Sequence, residues 1–395
     1  MRVYLGIFAS ILLSGCMDPY QMETNTFEDA IVVEGSISNQ LKRHSVKITR
    51  AYMLEETSPT IETNASVNVT DDAGNTYDFN FEDGIYLSIN PFHAVAGRAY
   101  TLNISTSDGK VYKSSAESLT TTTSIESVDA NVVIKNGQKG VQISVDSHDP
   151  SGNSKYYRYE FEETYKVVAP FWSEYVATVI LDEDPAFSSN DIIVLSPRTY
   201  EAKTCFSTAK SVDLLITSTV NLSEDRVSNF PIRFISVTDP IIMHRYSINV
   251  IQYVQSLAAY TFYKTLKEPT SAGENILSQN QPGFFYGNMR SLSNQNEKVI
   301  GFFEVSSYSE SRIFFNFEDI FPDDQLPEYF FQCQPYEFNS ENFGPGPNPG
   351  RTLRGDLITG NMIYYSHLGV IYNTVRPECG DCTTFSSNVI PDFWE

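Results

Sequence analysis

Short runs in which apolar and polar residues alternate dominate the chain from Ala30 onward. "AIVVEGSI", "HSVKITRAYM", "ASVNVTDDAGNTYDFNF", "GIYLSI" and "RAYTLNISTSDGKVYKSSA" are rich in Val, Ile, Tyr and Thr and are separated by turn residues. "DDAGN" and "SDGK" set an Asp and a Gly between alternating runs, the chemistry of tight hairpin turns. A first β-sandwich is therefore predicted over 30–121, closing at the Thr-rich linker "TTTTS".

A second set opens with "SVDANVVIKNGQKGVQISVDSHD", where Asn136-Gly137 divides two alternating runs. Ile143 and Val145, then Tyr157, Tyr159 and Phe161, keep the period of two that turns one face inward. The period changes once. Ala259, Phe262, Tyr263 and Leu266 fall at i, i+3, i+4 and i+7, predicting a helix near 256–267 with Ser256 as N-cap and Pro269 as stop. Aromatic-rich strands follow, interrupted by "CQPYEFNSENFGPGPNPGRT", whose Gly and Pro content predicts a loop without regular structure near 339–350. The expected fold class is mainly β: two immunoglobulin- or fibronectin-like β-sandwich domains, the second spanning 125–395 with one helical insertion and a β-rich C-terminal region.

The N-terminus follows different rules. Arg2 precedes an almost wholly apolar stretch from Leu5 to Leu13, and Leu13-Ser14-Gly15-Cys16 ends it. Nine helical residues rise about 14 Å against a hydrocarbon core of about 30 Å, so this stretch is too short to span. Run, small residues and cysteine together resemble a lipoprotein signal peptide over 1–15, with Cys16 as the lipidated first residue of the mature chain and a polar tether over 16–29. Attachment to the membrane through this N-terminal lipid is the expectation.

With 27 basic against 49 acidic residues and a net charge of -22, the chain lacks the clustered cations that grip nucleic acid or anionic headgroups. The other four cysteines, Cys205, Cys333, Cys379 and Cys382, are an even number in an exported chain and predict two disulfides. Three connectivities are open. The three-residue step in "ECGDC" favours a local Cys379–Cys382 bridge, leaving Cys205 to pair with Cys333.

Little else carries chemistry. "GPGPNPG" has three prolines that lack the N–H a phosphate loop needs. Asp146, Asp149 and Asn153 in "DSHDPSGN" form a weak calcium candidate, against a plain Asx-rich turn; no other cofactor or metal is expected. "PFWSEY" (Pro170 to Tyr175) and "FFYGNM" (Phe284 to Met289) are candidate exposed aromatic contacts, and the 339–350 loop a candidate partner surface.

"IVVEGSI", "NLSEDRVSNFPIRFI", "RYSINVIQYVQSLAAYTFYKTL", "IGFFEVSSYSESRIFF" and "ECGDC" followed by "PDFW" together resemble a Bacteroidota outer-membrane lipoprotein family, domain of unknown function 4249, over essentially the whole mature chain. The resemblance implies a lipid-anchored protein of the outer membrane, exposed at the cell surface, and supplies no catalytic residues. It implies a non-enzymatic accessory partner of a TonB-dependent transporter in ligand capture or uptake. The alternatives are a structural or assembly factor docking on an outer-membrane barrel and, behind it, an uncharacterised hydrolase.

Overall fold

A computed structural model describes residues 30–51, 59–182, 191–271, 287–343 and 348–394. Cys16, the signal segment and the tether lie outside the described residues. The described chain is mainly β, in several sheets, as the alternating runs predict.

One strand organises it. Val299–Phe315 runs 17 residues, which at about 3.3 Å per residue is roughly 55 Å of extended chain. Its first half pairs in parallel with Ile31–Ser38, from Ile31↔Val299 to Ser38↔Ser306. Its second half pairs antiparallel with Tyr246–Val254, from Val254↔Ser307 to Tyr246↔Phe315. A single sheet path therefore runs through both halves of the molecule.

Around the first half, local hairpins curl the sheet over a core of Ile31, Val33, Val46, Tyr86, Tyr100 and Leu102, each at most 1% exposed. The turn chemistry holds: Gly74 and Gly109 take φ of 88° and 82°. This core also takes Met289, Val299, Phe303 and Val305, residues that a division at 121–125 assigns to the C-terminal side. The strand Met289–Ser291 pairs with Val111–Ser114, and the Asn288 side chain bonds both the N–H (2.8 Å) and the carbonyl (2.9 Å) of Phe303, joining the two ends of the curled sheet. Glycine is required there, because a Cβ on Gly287 would stand 1.6 Å from the Gly301 carbonyl oxygen.

Around the second half, Tyr156–Val168 pairs with Tyr246–Val254, and the three-stranded sheet of Ile125–Lys135, Gln138–His148 and Arg226–Ser236 shares a core with them. Asn136 (φ 53°) and Gly137 (φ 80°) make the hairpin turn expected of that pair. Ile143, Val145, Tyr157, Tyr159 and Phe161 all point into this core, as their period of two requires. On the sheet face opposite these core residues sits a buried ion pair: Arg158 donates to Glu304 (3.3 Å) and pairs with the more exposed Glu160, Gln255 donates to the Glu304 carboxylate (3.0 Å), and the guanidinium lies 4.2 Å from the Tyr253 ring centroid and 5.3 Å from that of Tyr263.

Helix α1, Leu257–Ser271, begins where expected, with the Ser256 hydroxyl accepting from the Ala259 N–H (3.1 Å). It runs past Pro269 rather than stopping there, the missing N–H falling in the last turn. Among the described residues three further α-helices were not expected: α2 (Phe317–Ile320), α3 (Pro349–Thr359) and α4 (Pro377–Gly380). The 339–350 region is thus not all irregular. The Asn348 side chain caps α3 by accepting from the Arg351 N–H, and Pro349 sits in the first turn, where its ring already has helical φ. Residues 344–347 lie outside the described residues.

Candidate functional site

Beyond the far end of the long strand, the chain changes character. Residues 322–335 are irregular, and their apolar packing is a small cluster of Val167, Ala169, Cys205 and Cys382 with Trp172, Tyr329, Phe330 and Phe385 against it. Covalent bonds supplement that packing. Cys205 pairs with Cys382 and Cys333 with Cys379, at Cα separations of 5.8 and 5.6 Å. All four candidate cysteines are bridged, but the local Cys379–Cys382 bridge and its Cys205–Cys333 complement do not form. Helix α4 ends at Gly380 and Asp381 is extended (φ -145°, ψ 102°), so the two cysteines are delivered to different neighbours. The Cys379 carbonyl accepts from the Phe171 N–H (3.0 Å), whereas the Cys382 N–H donates to the Ala202 carbonyl (2.9 Å). Asp381 fixes this turn from within the motif, accepting from Arg198 (2.9 Å), the Tyr200 hydroxyl (2.6 Å) and the Thr383 N–H (2.9 Å).

The stapled segments enclose a groove of about 640 Å³, inside the roughly 300–1,000 Å³ usual for small-ligand clefts. Phe171, Tyr329, Phe331 and Tyr336 supply rings. Glu328, Gln332, Gln334 and Arg376 supply polar groups, and Cys333 forms part of the wall. The rings are braced from behind: Phe171 meets Tyr365 edge-on with centroids 5.2 Å apart, and Phe331 meets Phe385 at 5.0 Å. The Tyr329 hydroxyl donates to the Glu378 carbonyl (3.2 Å); burial first, then the nearby Glu378 charge, pushes its pKa up, so it stays a neutral donor. Arg376 donates to the Gln332 carbonyl and pairs with Glu378 at 3.3 Å, which neutralises its charge within the wall. The Gln334 amide donates to the Tyr336 hydroxyl (3.1 Å). Such a surface can hold a ligand that is apolar on one face and hydroxylated at its rim.

The sequence reading reached one edge of this groove. Pro170 and Phe171 of "PFWSEY" line it, whereas Met289 of "FFYGNM" is buried in the first core, and Phe284 to Tyr286 lie outside the described residues. Cys333 was read only as a disulfide cysteine; Tyr336 and Arg376 were missed because they reach the groove from a separate strand and helix cap, and the neighbours of Cys333 from Glu328 to Gln334 because 322–335 has no period to read. The signal that could have found them is the density of rings and amides in "EYFFQCQPY" around Cys333.

The calcium candidates are used by their own turn. Asp149 accepts from the Ser151 N–H (2.9 Å) and hydroxyl (2.7 Å), the Asn153 N–H (3.1 Å), and the Ser154 N–H (3.0 Å) and hydroxyl (2.8 Å). Burial alone would raise its pKa, but these hydroxyls and N–H groups outweigh it and hold the carboxyl down to about 2. Asp146 points elsewhere, to the Asn229 N–H and the Ser127 hydroxyl (3.4 Å). Among the described residues no group of three or more His, Cys, Asp or Glu is placed to hold a metal ion, and no helix is long and apolar enough to cross a membrane.

No curated protein matches the chain. A solved structure titled "Biofilm associated protein - BSP domain" aligns over 85% of this chain and 68% of its own at 8% identity, with a TM-score of 0.14, too low to carry an argument. The family model "Domain of unknown function (DUF4249)" matches residues 17–312, beginning just after Cys16 and running through most of the long strand, and the chain belongs to that family.

Proposed function

We propose that this protein is a non-enzymatic, lipid-anchored accessory lipoprotein of the Bacteroidota outer membrane that captures ligand for a TonB-dependent transporter at the cell surface. One observation carries the reading: the molecule is polar along its long strand. Ile31 pairs with Val299 at the start of that strand, so the chain enters the fold there, 15 residues after Cys16. Pro170 and Phe171 follow a strand parallel to the long one and lie past its other end, as does Cys205, bridged to Cys382. A lipid on Cys16 would hold the entry end toward the bilayer and present the groove away from it, where an incoming ligand arrives first. Firm anchoring also raises the effective concentration of any neighbouring barrel, so modest contacts suffice for a persistent complex. Within this reading the two cores are those of two immunoglobulin-like β-sandwich domains, supported by their hairpin connections and separate apolar clusters.

The test is recovery of the tagged, full-length protein from mild-detergent extracts, followed by identification of what accompanies it. A TonB-dependent transporter is expected. An assembly complex without a transporter would instead support a barrel-docking structural role and overturn the capture reading. Metabolic labelling with a fatty-acid analogue should mark the wild type and not Cys16→Ser, since serine cannot form the thioether; equal labelling would overturn the anchor.

A further inference from the structure

We infer that the disulfide-walled groove binds a neutral saccharide, with Phe171, Phe331 and Tyr336 as stacking platforms and Gln332, Gln334 and Glu328 addressing hydroxyl groups. The inference rests on the capture reading above and names the ligand class that such a site would take.

Four features select this chemistry. A pyranose ring has an apolar C–H face, and burying it on an aromatic ring gains free energy without requiring a charge. Phe171 and Phe331 are half-buried with ring edges already packed behind them, and Tyr336 is 42% exposed, so apolar ring surface is left for a ligand. Around these rings stand two exposed amides, each with a donor and an acceptor, and an exposed carboxylate that accepts through two oxygens, planar groups that match adjacent hydroxyls. A wholly apolar ligand would leave those groups desolvated and unpaired, which disfavours it.

Charge narrows the choice further. Arg376 is engaged by Glu378 and the Gln332 carbonyl, while Glu328 is exposed, so an anion would meet a compensated cation beside a free carboxylate. A cation would find a single exposed carboxylate and no acidic cluster in the lining. Finally, the wall is held covalently at Cys333. The Cys333–Cys379 bridge closes 46 residues of chain directly behind the groove, so little order remains to be imposed when a weakly interacting ligand binds.

The experiment uses the full-length, detergent-solubilised lipoprotein on an array of neutral glycans, with acidic glycans and unstructured peptides alongside, followed by calorimetry with the best neutral oligosaccharide. Saturable binding to a neutral glycan is expected. Tyr336→Ala/Gln334→Ala should weaken it at least about tenfold, Tyr336→Phe should leave it within about threefold, and both variants should keep both disulfides and the wild-type melting temperature. Absence of neutral-glycan binding across the array, a preference for peptides or acidic glycans, or affinity unchanged in the double variant would each overturn the assignment. The double variant separates the two ideas. Lost glycan binding with undiminished transporter recovery supports both, glycan binding without any transporter removes only the partnership, and a transporter without glycan binding removes only the ligand class.

Discussion

The two ends of the long strand are held by different physical means. At the entry end, the strand lies in a curled sheet whose alternating Val, Ile, Leu and Tyr residues bury one nearly continuous apolar surface. At the far end, few aliphatic side chains are buried, the chain between residues 322 and 335 is irregular, and two disulfides and the Asp381 hydrogen bonds hold the segments. A regular sheet leaves little room for a concave surface lined by protruding rings. An irregular loop can form one, provided something other than its own core fixes it. The groove stands where the buried apolar cluster is small and both disulfides lie.

The sharpest way to break this comparison is to remove the staples. By chain-entropy reasoning, closing a 177-residue separation constrains the unfolded chain by roughly 5 kcal/mol, and a 46-residue separation by about 4 kcal/mol, before any native strain. Cys205→Ser/Cys382→Ser should therefore lower denaturation stability more than Cys333→Ser/Cys379→Ser. Hydrogen exchange should show the loss concentrated beyond Phe315, with the entry-end core still protected. Protection lost equally at both ends would mean that the far end is no more dependent on its bridges than the near one.

The entry end should respond to packing instead. Phe303 is 0% exposed, and Phe303→Ala should cost about 3–5 kcal/mol, whereas Phe385→Ala, at a half-buried position, should cost less. Urea denaturation of the two variants ranks them, and a larger cost at Phe385 would reverse the assignment of packing to the entry end.

Glu304 lies at the join of the two regions. Glu304→Ala removes the buried partner of Arg158 and leaves its guanidinium only the more exposed Glu160, so it should cost roughly 2–4 kcal/mol, while replacing Arg158 and Glu304 together by apolar residues of similar volume should restore much of that loss. A double variant no more stable than the single one would show that the ion pair contributes through its geometry rather than by offsetting two buried charges.

The smallest difference should appear in acid. His44, 1% exposed in the entry-end core, has its pKa lowered to about 4, chiefly by burial. From pH 6.5 down to about 4 the unfolded chain therefore binds a proton that the folded chain refuses, and stability falls through that window. The depressed Asp149 carboxyl acts lower, between its ordinary 3.8 and about 2, where the unfolded carboxyl again protonates first. His44→Gln should flatten the stability profile in the upper window and leave the lower one; Asp149→Asn should do the converse. A His44→Gln profile with an unchanged slope between pH 6.5 and 4 would show that His44 does not govern it.

The sequence by itself determined what depends on neighbouring residues. Period-two burial at Ile143, Val145, Tyr157, Tyr159 and Phe161, the Asn136-Gly137 turn and the Ser256 cap all follow from side-chain alternation, backbone φ and one-turn hydrogen bonding. These are readable within a few residues of chain. Only the tertiary structure decided what joins distant segments: the parallel pairing of Ile31–Ser38 with Val299–Phe315, the insertion of residues 289–305 into the first core, and the partners of Cys379 and Cys382. Strand pairing and disulfide choice depend on where segments separated by tens to hundreds of residues come to rest. C-x-x-C spacing made a local bridge look nearest, yet the extended backbone at Asp381 turned the two cysteines toward separate partners. The groove belongs to this second class, because its lining meets only after both bridges and the folded sheet bring Phe171, Tyr336 and Arg376 together.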